Sequence, residues 1–171
     1  EMRTITFYSY KGGTGRTLAM ANVARQLARF GQKVVVVDFD LEAPGLHYKF
    51  SAGEDGDLPD VTTGVVDYLH TLMTTGRVPE SVLPFVTNVV EETEQGGSVD
   101  MIAAGPSLLA DYWKKQRRIN WHDLLGDLPA TPGPGVPALL EFKEQIREEL
   151  KPGFLLIDSR TGVTEAGGVV T

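Results

Sequence analysis

The sequence predicts an α/β fold in which a mostly parallel, doubly wound sheet lies between two layers of helices. Two apolar runs carry this prediction, residues 34–37 and 154–157, because neither alternates with polar residues. Such runs are typical of strands that are buried on both faces of a parallel sheet. A helical pattern precedes each run, and helices that connect parallel strands cover the faces of the sheet.

The first predicted elements form a strand–helix–strand unit. We expect a strand at residues 3–9, a helix at 17–30 and the buried strand from Lys33 through residue 37. Apolar residues at helical spacing indicate the helix. Gly31 follows it, and glycine commonly ends helices.

The rest of the chain is predicted to be less regular in its middle and clearer towards its end. The expected elements are a loop at 51–63, a short helix at 64–75, an extended or irregular segment at 82–90, a turn at 95–97, a strand at 98–103, a helix at 111–125, a loop at 129–137, a helix at 139–150 and a strand at 154–157. Residues 159–171 are expected to form a loop and the beginning of another helix. We therefore expect one domain over residues 1–171 whose C-terminal elements are missing.

Composition limits the classes of function. The net charge is −7, which does not support nucleic-acid binding over the whole surface, although such binding stays possible. The basic segment 114–118, between Trp113 and Trp121, is interpreted as a solvated helix face, with a polyanion site as the alternative. The chain has no cysteine, and its three histidines lack the spacing of zinc ligands. No apolar run approaches the roughly 20 residues of a membrane span, so we expect a cytoplasmic location without a signal peptide.

A glycine-rich segment, KGGTGRT at residues 11–17, separates the first strand from the first helix. Such a turn directs backbone N–H groups and a helix N-terminus at one point, which favours phosphate binding. The dinucleotide pattern G-x-G-x-x-G fails at Leu18. The strict phosphate-loop pattern fails at Tyr10 and Arg16, where it has glycine and lysine. Thr17 retains a hydroxyl that suits Mg²⁺.

Three aspartates, Asp38, Asp40 and Asp158, stand at the ends of the two buried strands. The carboxyl ends of parallel strands form the edge where ligands bind in doubly wound sheets. Carboxylates there can hold Mg²⁺ and its waters beside a phosphate. The alternative interpretation is that each aspartate is a turn or helix-capping residue. Asp38 and Asp40 are only two residues apart, so the sequence leaves open which of them takes which role at the ligand.

These segments together resemble the ParA/MinD superfamily of P-loop ATPases. Residues 11–17 are similar to its deviant Walker A motif, KGG-x-GK-[ST], in a variant form with arginine in place of the second lysine. Residues 34–40 resemble its next strand with a D-x-D motif, residues 98–105 its third core strand, and residues 155–158 its Walker B strand.

The resemblance implies a P-loop NTPase fold, ATP and Mg²⁺ as cofactors, and a nucleotide-dependent homodimer. It implies that Lys11 reaches the nucleotide of a second subunit and that Asp40 orients the attacking water. The residues implied to wrap the phosphates are Gly12, Gly13, Thr14, Gly15, Arg16 and Thr17. Those implied to hold the metal are Thr17, Asp38 and Asp158. Residues 159–162 would form a switch loop with Gly162 as its pivot, and Arg160 would contact phosphate or a partner, or be a solvated charge.

Arg16 is the departure from the family pattern. Arginine bonds phosphate bidentately, but it is bulkier than lysine and planar. A misplacement of about 1 Å can cost roughly 10²-fold in rate, so we expect slow ATP hydrolysis with Lys11, Arg16 and Asp40 as the catalytic residues. The alternatives are a nucleotide-binding regulatory module without hydrolysis, a phosphotransferase similar to bacterial tyrosine kinases, and an interaction domain that does not bind ATP.

Overall fold

The computed structural model describes residues 1–9, 15–51, 56–127 and 131–159. The strands are β1 (Arg3–Tyr8), β2 (Lys33–Asp38), β3 (Thr87–Val90), β4 (Ser98–Ile102), β5 (Gly126–Asp127), β6 (Thr131–Pro132) and β7 (Phe154–Ser159). The α-helices are α1 (Arg16–Arg29), α2 (Val65–Thr75), α3 (Ala110–Gln116), α4 (Trp121–Leu125) and α5 (Gly135–Gln145). Two 3₁₀ turns, His47–Phe50 and Leu83–Phe85, and a π-helical turn, Ile146–Leu150, are also present.

The main sheet has five strands in the order β1-β7-β2-β4-β3. The first four run parallel, and β3 pairs antiparallel with β4. The register places Asp38 of β2 opposite Asp158 of β7, and Phe7 of β1 on the other side of Asp158. Three strands therefore end at one level, on the edge where doubly wound sheets bind ligands.

The central strands bury side chains on both faces of the sheet. Val35 and Val37 pack into one apolar cluster with residues of α2, α3, α4 and α5. Val34 and Val36 pack into a second cluster, which includes the buried face of α1. This three-layer arrangement confirms the predicted α/β fold, and it explains why residues 34–37 show no polar alternation.

Helix α1 packs closely on the sheet because its buried face is made mostly of small side chains. Ala21, Ala24 and Ala28 are completely buried, together with Met20. The helix follows β1 in the chain, so its N-terminus lies at the same edge as the three aspartates.

Glycine is required where α2 meets the end of β4. The N–H groups of Val65 and Val66 donate to the carbonyls of Ala103 and Ala104, both at 2.9 Å. A Cβ at Gly64 would lie 2.2 Å from the Ala103 carbonyl oxygen, closer than atoms can approach. The side chain of Asp67 accepts from the Gly64 N–H at 2.9 Å and caps the helix.

The predicted helices at 17–30 and 64–75 and the predicted strands at 3–9, 33–37, 98–103 and 154–157 are confirmed, with bounds that differ by one or two residues. The segment 82–90, predicted as extended or irregular, contains a 3₁₀ turn followed by β3. The predicted helix at 139–150 is also present, but it begins earlier and ends as the π-helical turn. Residues 160–171 lie outside the described residues.

The prediction of one continuous helix at 111–125 is wrong. The segment forms α3 and α4, which are separated by residues 117–120. Asn120 explains the break, because its side-chain oxygen accepts from the Asp123 N–H at 3.3 Å, as an N-cap residue does. Its amide also donates to the Asp123 carboxylate at 2.8 Å. The intervening Ile119 is buried, so the linker itself packs on the core.

The prediction of a loop over the whole of 129–137 is wrong in part. Residues 131–132 form β6, which pairs with β5, and α5 already begins at Gly135. Pro137 does not prevent this, because proline is tolerated in the first turn of a helix, where its missing N–H has no partner. Residues 128–130 lie outside the described residues.

Candidate functional site

Three buried carboxyl groups meet at the carboxyl edge of the sheet. Asp38 ends β2, Asp40 lies two residues further on, and Asp158 lies next to β2 in β7. Asp38 is fully buried, and Asp40 and Asp158 are 8% and 1% exposed. Since a buried charge is costly unless it is paired and hydrogen-bonded, the contacts of each carboxylate are informative.

Asp38 is held by the backbone of the loop that follows it. One carboxylate oxygen accepts from the Asp40 N–H at 3.0 Å, and the other from the N–H groups of Gly45 and Leu46 at 3.2 and 3.1 Å. Burial, and then the neighbouring charge of Asp158, raise the pKa of Asp38 to about 7. These contacts are those of a turn residue, and the role of Asp38 at a metal stays a prediction.

Arg16 lies between the other two carboxylates. Its Nη2 donates to Oδ2 of Asp40 at 3.0 Å, and its Nε forms an ion pair with Oδ1 of Asp158. The Arg16 side chain is only 11% exposed, so this guanidinium supplies positive charge inside the site. Asp40 also accepts from the Ala43 N–H at 3.2 Å, which folds the loop back on itself.

The Thr17 hydroxyl donates to Oδ2 of Asp158 at 2.6 Å. Burial raises the pKa of Asp158, while the bonds from Thr17 and Arg16 oppose that increase. The structure thus brings together four of the predicted site residues, Arg16, Thr17, Asp40 and Asp158, through direct side-chain contacts.

The N-terminus of α1 is arranged to receive an anion. Gly15 precedes the helix with a φ of 77°, a left-handed conformation that glycine adopts without strain. No side chain caps the helix, and its first turn contains no acidic residue, in contrast to α2 with Asp67. The positive end of the helix dipole is therefore not neutralised by an acidic side chain of its own first turn.

Several predicted residues lie outside the described part of the chain. These are Lys11, Gly12, Gly13, Thr14, Arg160 and Gly162. In the segment that follows the D-x-D motif, Glu42 is exposed, and the Gly45 N–H donates to Asp38, as described above.

Within the described ranges, no group of three or more His, Asp or Glu side chains is arranged to hold a metal ion by itself. The oxygens of Thr17 and Asp158 are nevertheless suitable for Mg²⁺, which binds few protein ligands and keeps several waters or phosphate oxygens. The residues present fit such an ion as part of a metal–phosphate complex. His47 is buried, and its ring lies against the ring of Tyr48, tilted by 39° with 4.0 Å between the ring centres.

Tyr112 is a site residue that the sequence did not reveal. Its hydroxyl is buried and donates to the carbonyl of Leu41 at 2.7 Å, which ties α3 to the loop carrying Asp40. Its ring packs against Gly105, where an added Cβ would lie 2.8 Å from the ring. In the sequence, an aromatic residue at this place is indistinguishable from an ordinary core residue.

The basic segment at 114–118 is partly used inside the fold. Lys115 contacts Asp67 at 2.9 Å and Asp111 at 2.8 Å, so it joins α3 to α2. The bonds to Asp111 and Asp67 raise the pKa of Lys115. Lys114 and Arg117 are exposed, as expected for a solvated face.

Among the described residues, no helix is both long and apolar enough to cross a membrane.

Known proteins are similar to this chain in sequence and in fold. The family described as the CobQ/CobB/MinD/ParA nucleotide binding domain matches residues 5–160. Two uncharacterized ATP-binding proteins of Methanocaldococcus jannaschii are similar in sequence. One is 29% identical over 67% of this chain and 36% of its own length, and the other is 42% identical over 46% and 29%.

Solved structures show the same fold. The septum site-determining protein MinD of Pyrococcus horikoshii, complexed with Mg-ADP, aligns with a TM-score of 0.59 and 20% identity over 99% of this chain and 53% of its own. The cell division ATPase MinD of Pyrococcus furiosus aligns with a TM-score of 0.55 and 23% identity over 98% and 54%. The chain thus spans about half the length of these structures and about a third of the curated relatives.

The Tyr112–Leu41 bond generates a prediction about the loop after β2. Tyr112→Phe leaves the buried Leu41 carbonyl without its donor, so the free energy of unfolding should fall by about 1–2 kcal/mol. Amide hydrogen exchange at residues 40–46 should become faster. Chemical denaturation and exchange measurements test this, with Tyr48→Phe as the control because Tyr48 is 42% exposed. Equal effects of the two variants would contradict the prediction.

Proposed function

The chain belongs to the CobQ/CobB/MinD/ParA nucleotide-binding domain family, and from this premise we propose that it binds ATP with Mg²⁺ and hydrolyses it slowly. We also propose that residues 1–171 form one domain. The main support for ATP binding is the cluster of Arg16, Thr17, Asp40 and Asp158 at the N-terminus of α1. A cation, a hydroxyl and two carboxylates at a helix N-terminus are the groups that a metal–phosphate complex requires.

Each residue has a proposed role. Residues 12–17 wrap the phosphates through backbone N–H groups, and Arg16 adds a charged contact to them. Thr17 would hold Mg²⁺ directly, and Asp158 would hold it through water. The Thr17 hydroxyl oxygen and Oδ2 of Asp158 already lie 2.6 Å apart, so both can face one ion. Asp38 would support the metal site indirectly, because its hydrogen bonds hold the loop at 40–46 in place. When bound, Mg²⁺ neutralises charge on the phosphate oxygens.

Asp40 is the proposed residue that orients the attacking water. It lies beside Arg16, on a loop whose backbone is fixed by Asp38 and Tyr112. A fixed carboxylate near the phosphates can hold a water in line, which is the main requirement of phosphoryl transfer. Its ion pair with Arg16 also supports a second candidate function, nucleotide binding without hydrolysis, because the oxygen that accepts from the guanidinium is less able to accept from a water.

We further propose that ATP promotes a homodimer. The support is the resemblance of residues 11–17 to the deviant Walker A motif, in which the first lysine reaches the nucleotide of the second subunit. Lys11 has that position in this sequence. In this arrangement, a nucleotide bound at each of two sites links the two chains.

Replacing the Thr17 hydroxyl tests the metal site. Thr17→Val keeps the shape of the side chain, so ATP affinity with Mg²⁺ should fall by about tenfold or more, while affinity in EDTA should change little. Isothermal titration calorimetry measures both values. Thr74→Val is the matched control, since Thr74 is an exposed threonine on α2. An equal loss with and without Mg²⁺ would assign Thr17 a structural role instead.

Single-turnover hydrolysis separates the ATPase from the module that only binds nucleotide. Asp40→Asn should reduce the rate by about 10²-fold or more, with ATP affinity changed only severalfold, because water orientation matters in the transition state. Glu42→Gln, an exposed acidic residue of the same loop, should keep the wild-type rate. If wild-type protein with bound Mg-ATP forms no product over hours, hydrolysis is excluded and the binding module remains.

The dimer proposal predicts a change in sedimentation. A non-hydrolysable ATP analogue with Mg²⁺ should shift the wild-type chain from monomer to dimer, and Lys11→Ala should stay monomeric because the cross-subunit phosphate contact is lost. Lys49→Ala, an exposed lysine, serves as the control and should dimerise. Dimerisation of Lys11→Ala with unchanged affinity would refute the role of Lys11.

A further inference from the structure

We propose that Arg16 competes with Mg²⁺ in the nucleotide-free chain, and that phosphate must draw the guanidinium away from Asp40 and Asp158 before the metal can bind. This inference rests on the proposed ATP site and concerns the order in which that site fills. It assigns Arg16 two alternating partners, the carboxylates without nucleotide and the phosphates with it.

Both carboxylate oxygens of Asp158 already face a neighbouring side chain. Oδ1 faces Nε of Arg16, and Oδ2 accepts from the Thr17 hydroxyl at 2.6 Å. The Thr17 oxygen is itself one of the groups suited to Mg²⁺. A hydrated metal ion must therefore compete with Arg16 for Oδ1 and with the Thr17 hydroxyl for Oδ2.

The positive charge of Arg16 also opposes the entry of a divalent cation. Asp38, Asp40 and Asp158 are all more than nine-tenths buried, and among the described residues Arg16 is the cation that contacts two of them. Bringing in a divalent cation beside a nearly buried guanidinium is unfavourable, because like charges repel strongly where water is excluded. Displacing Arg16 without giving it a new partner is also unfavourable, since it would leave a buried charge unpaired.

The shape of the arginine side chain allows Arg16 to exchange its partners. Its planar fork places Nε and Nη2 on two different carboxylates, one from β7 and one from the loop after β2. The same fork bonds phosphate oxygens bidentately, so phosphate is a partner that can replace both carboxylates at once. Lysine, a compact point charge on a flexible stem, lacks this fixed two-point geometry. The arginine at residue 16 therefore suits an exchange between a pair of carboxylates and a single phosphate.

The test measures metal and nucleotide separately, with no turnover. Mn²⁺ alone replaces Mg²⁺, and its binding to the nucleotide-free chain is followed by electron paramagnetic resonance. Arg16→Met should bind Mn²⁺ about tenfold more tightly than wild type, because the competing charge is gone. The same variant should bind ATP in EDTA about tenfold more weakly, because the phosphate contact is also gone. Opposite changes in the two affinities are the signature of the exchange.

Arg29→Met is the matched control, since Arg29 is exposed on the same helix and the substitution changes the net charge equally. It should leave both affinities within about twofold of wild type. Unchanged or weaker Mn²⁺ binding by folded Arg16→Met would overturn the inference. If Arg16→Met does not fold, Arg16→Lys decides: tighter Mn²⁺ binding supports the exchange, because lysine lacks the fork that holds both carboxylates, and unchanged or weaker Mn²⁺ binding refutes it.

The proposed function fails separately from this inference. If wild-type chain binds no ATP at millimolar concentration, with or without Mg²⁺, the ATP site is refuted. The Mn²⁺ comparison between Arg16→Met and Arg29→Met would still show whether Arg16 excludes a divalent cation from the carboxylates.

Discussion

The structure depends on the concentration of negative charge at the ends of two neighbouring strands. Asp38, Asp40 and Asp158 lie within one corner of the fold and are nearly inaccessible to water. Such a cluster persists only when each carboxylate has partners. The fold supplies three kinds: backbone N–H groups for Asp38, a shared guanidinium for Asp40 and Asp158, and a hydroxyl for Asp158. The parallel register and the close packing of α1 bring these partners together.

Much of this arrangement could be predicted because its signals are local in the sequence. Uninterrupted β-branched and apolar runs identify β2 and β7, and the aspartates follow them directly. The glycine-rich segment before α1 marks the helix start, and Gly15 has the left-handed conformation that such a turn requires. Because the carboxyl ends of parallel strands lie at the same edge of a sheet, the order of the elements is enough to place the aspartates together.

The remaining features depend on contacts between segments that are distant in the chain. Arg16 and Asp158 are separated by more than 140 residues, so nothing local indicates that they pair. The bond from Tyr112 to Leu41 is equally non-local. Two helix boundaries differ from the prediction for a local reason. At 117–120, the capping residue Asn120 starts a new helix within an apolar pattern that predicts a continuous one. At Gly135, a helix begins inside a proline-rich segment, because Pro137 is tolerated in its first turn.

The attachment of α3 has a mechanical consequence. One hydroxyl ties this helix to the loop that carries Asp40, and one ammonium, on Lys115, ties it to α2. The same helix carries exposed positive charge at Lys114, with Arg117 next to it. This positive charge therefore lies on a helix that is bonded directly to the loop of the candidate site. A partner that displaces α3 would therefore also displace the loop that carries Asp40, through the bond from Tyr112 to the Leu41 carbonyl.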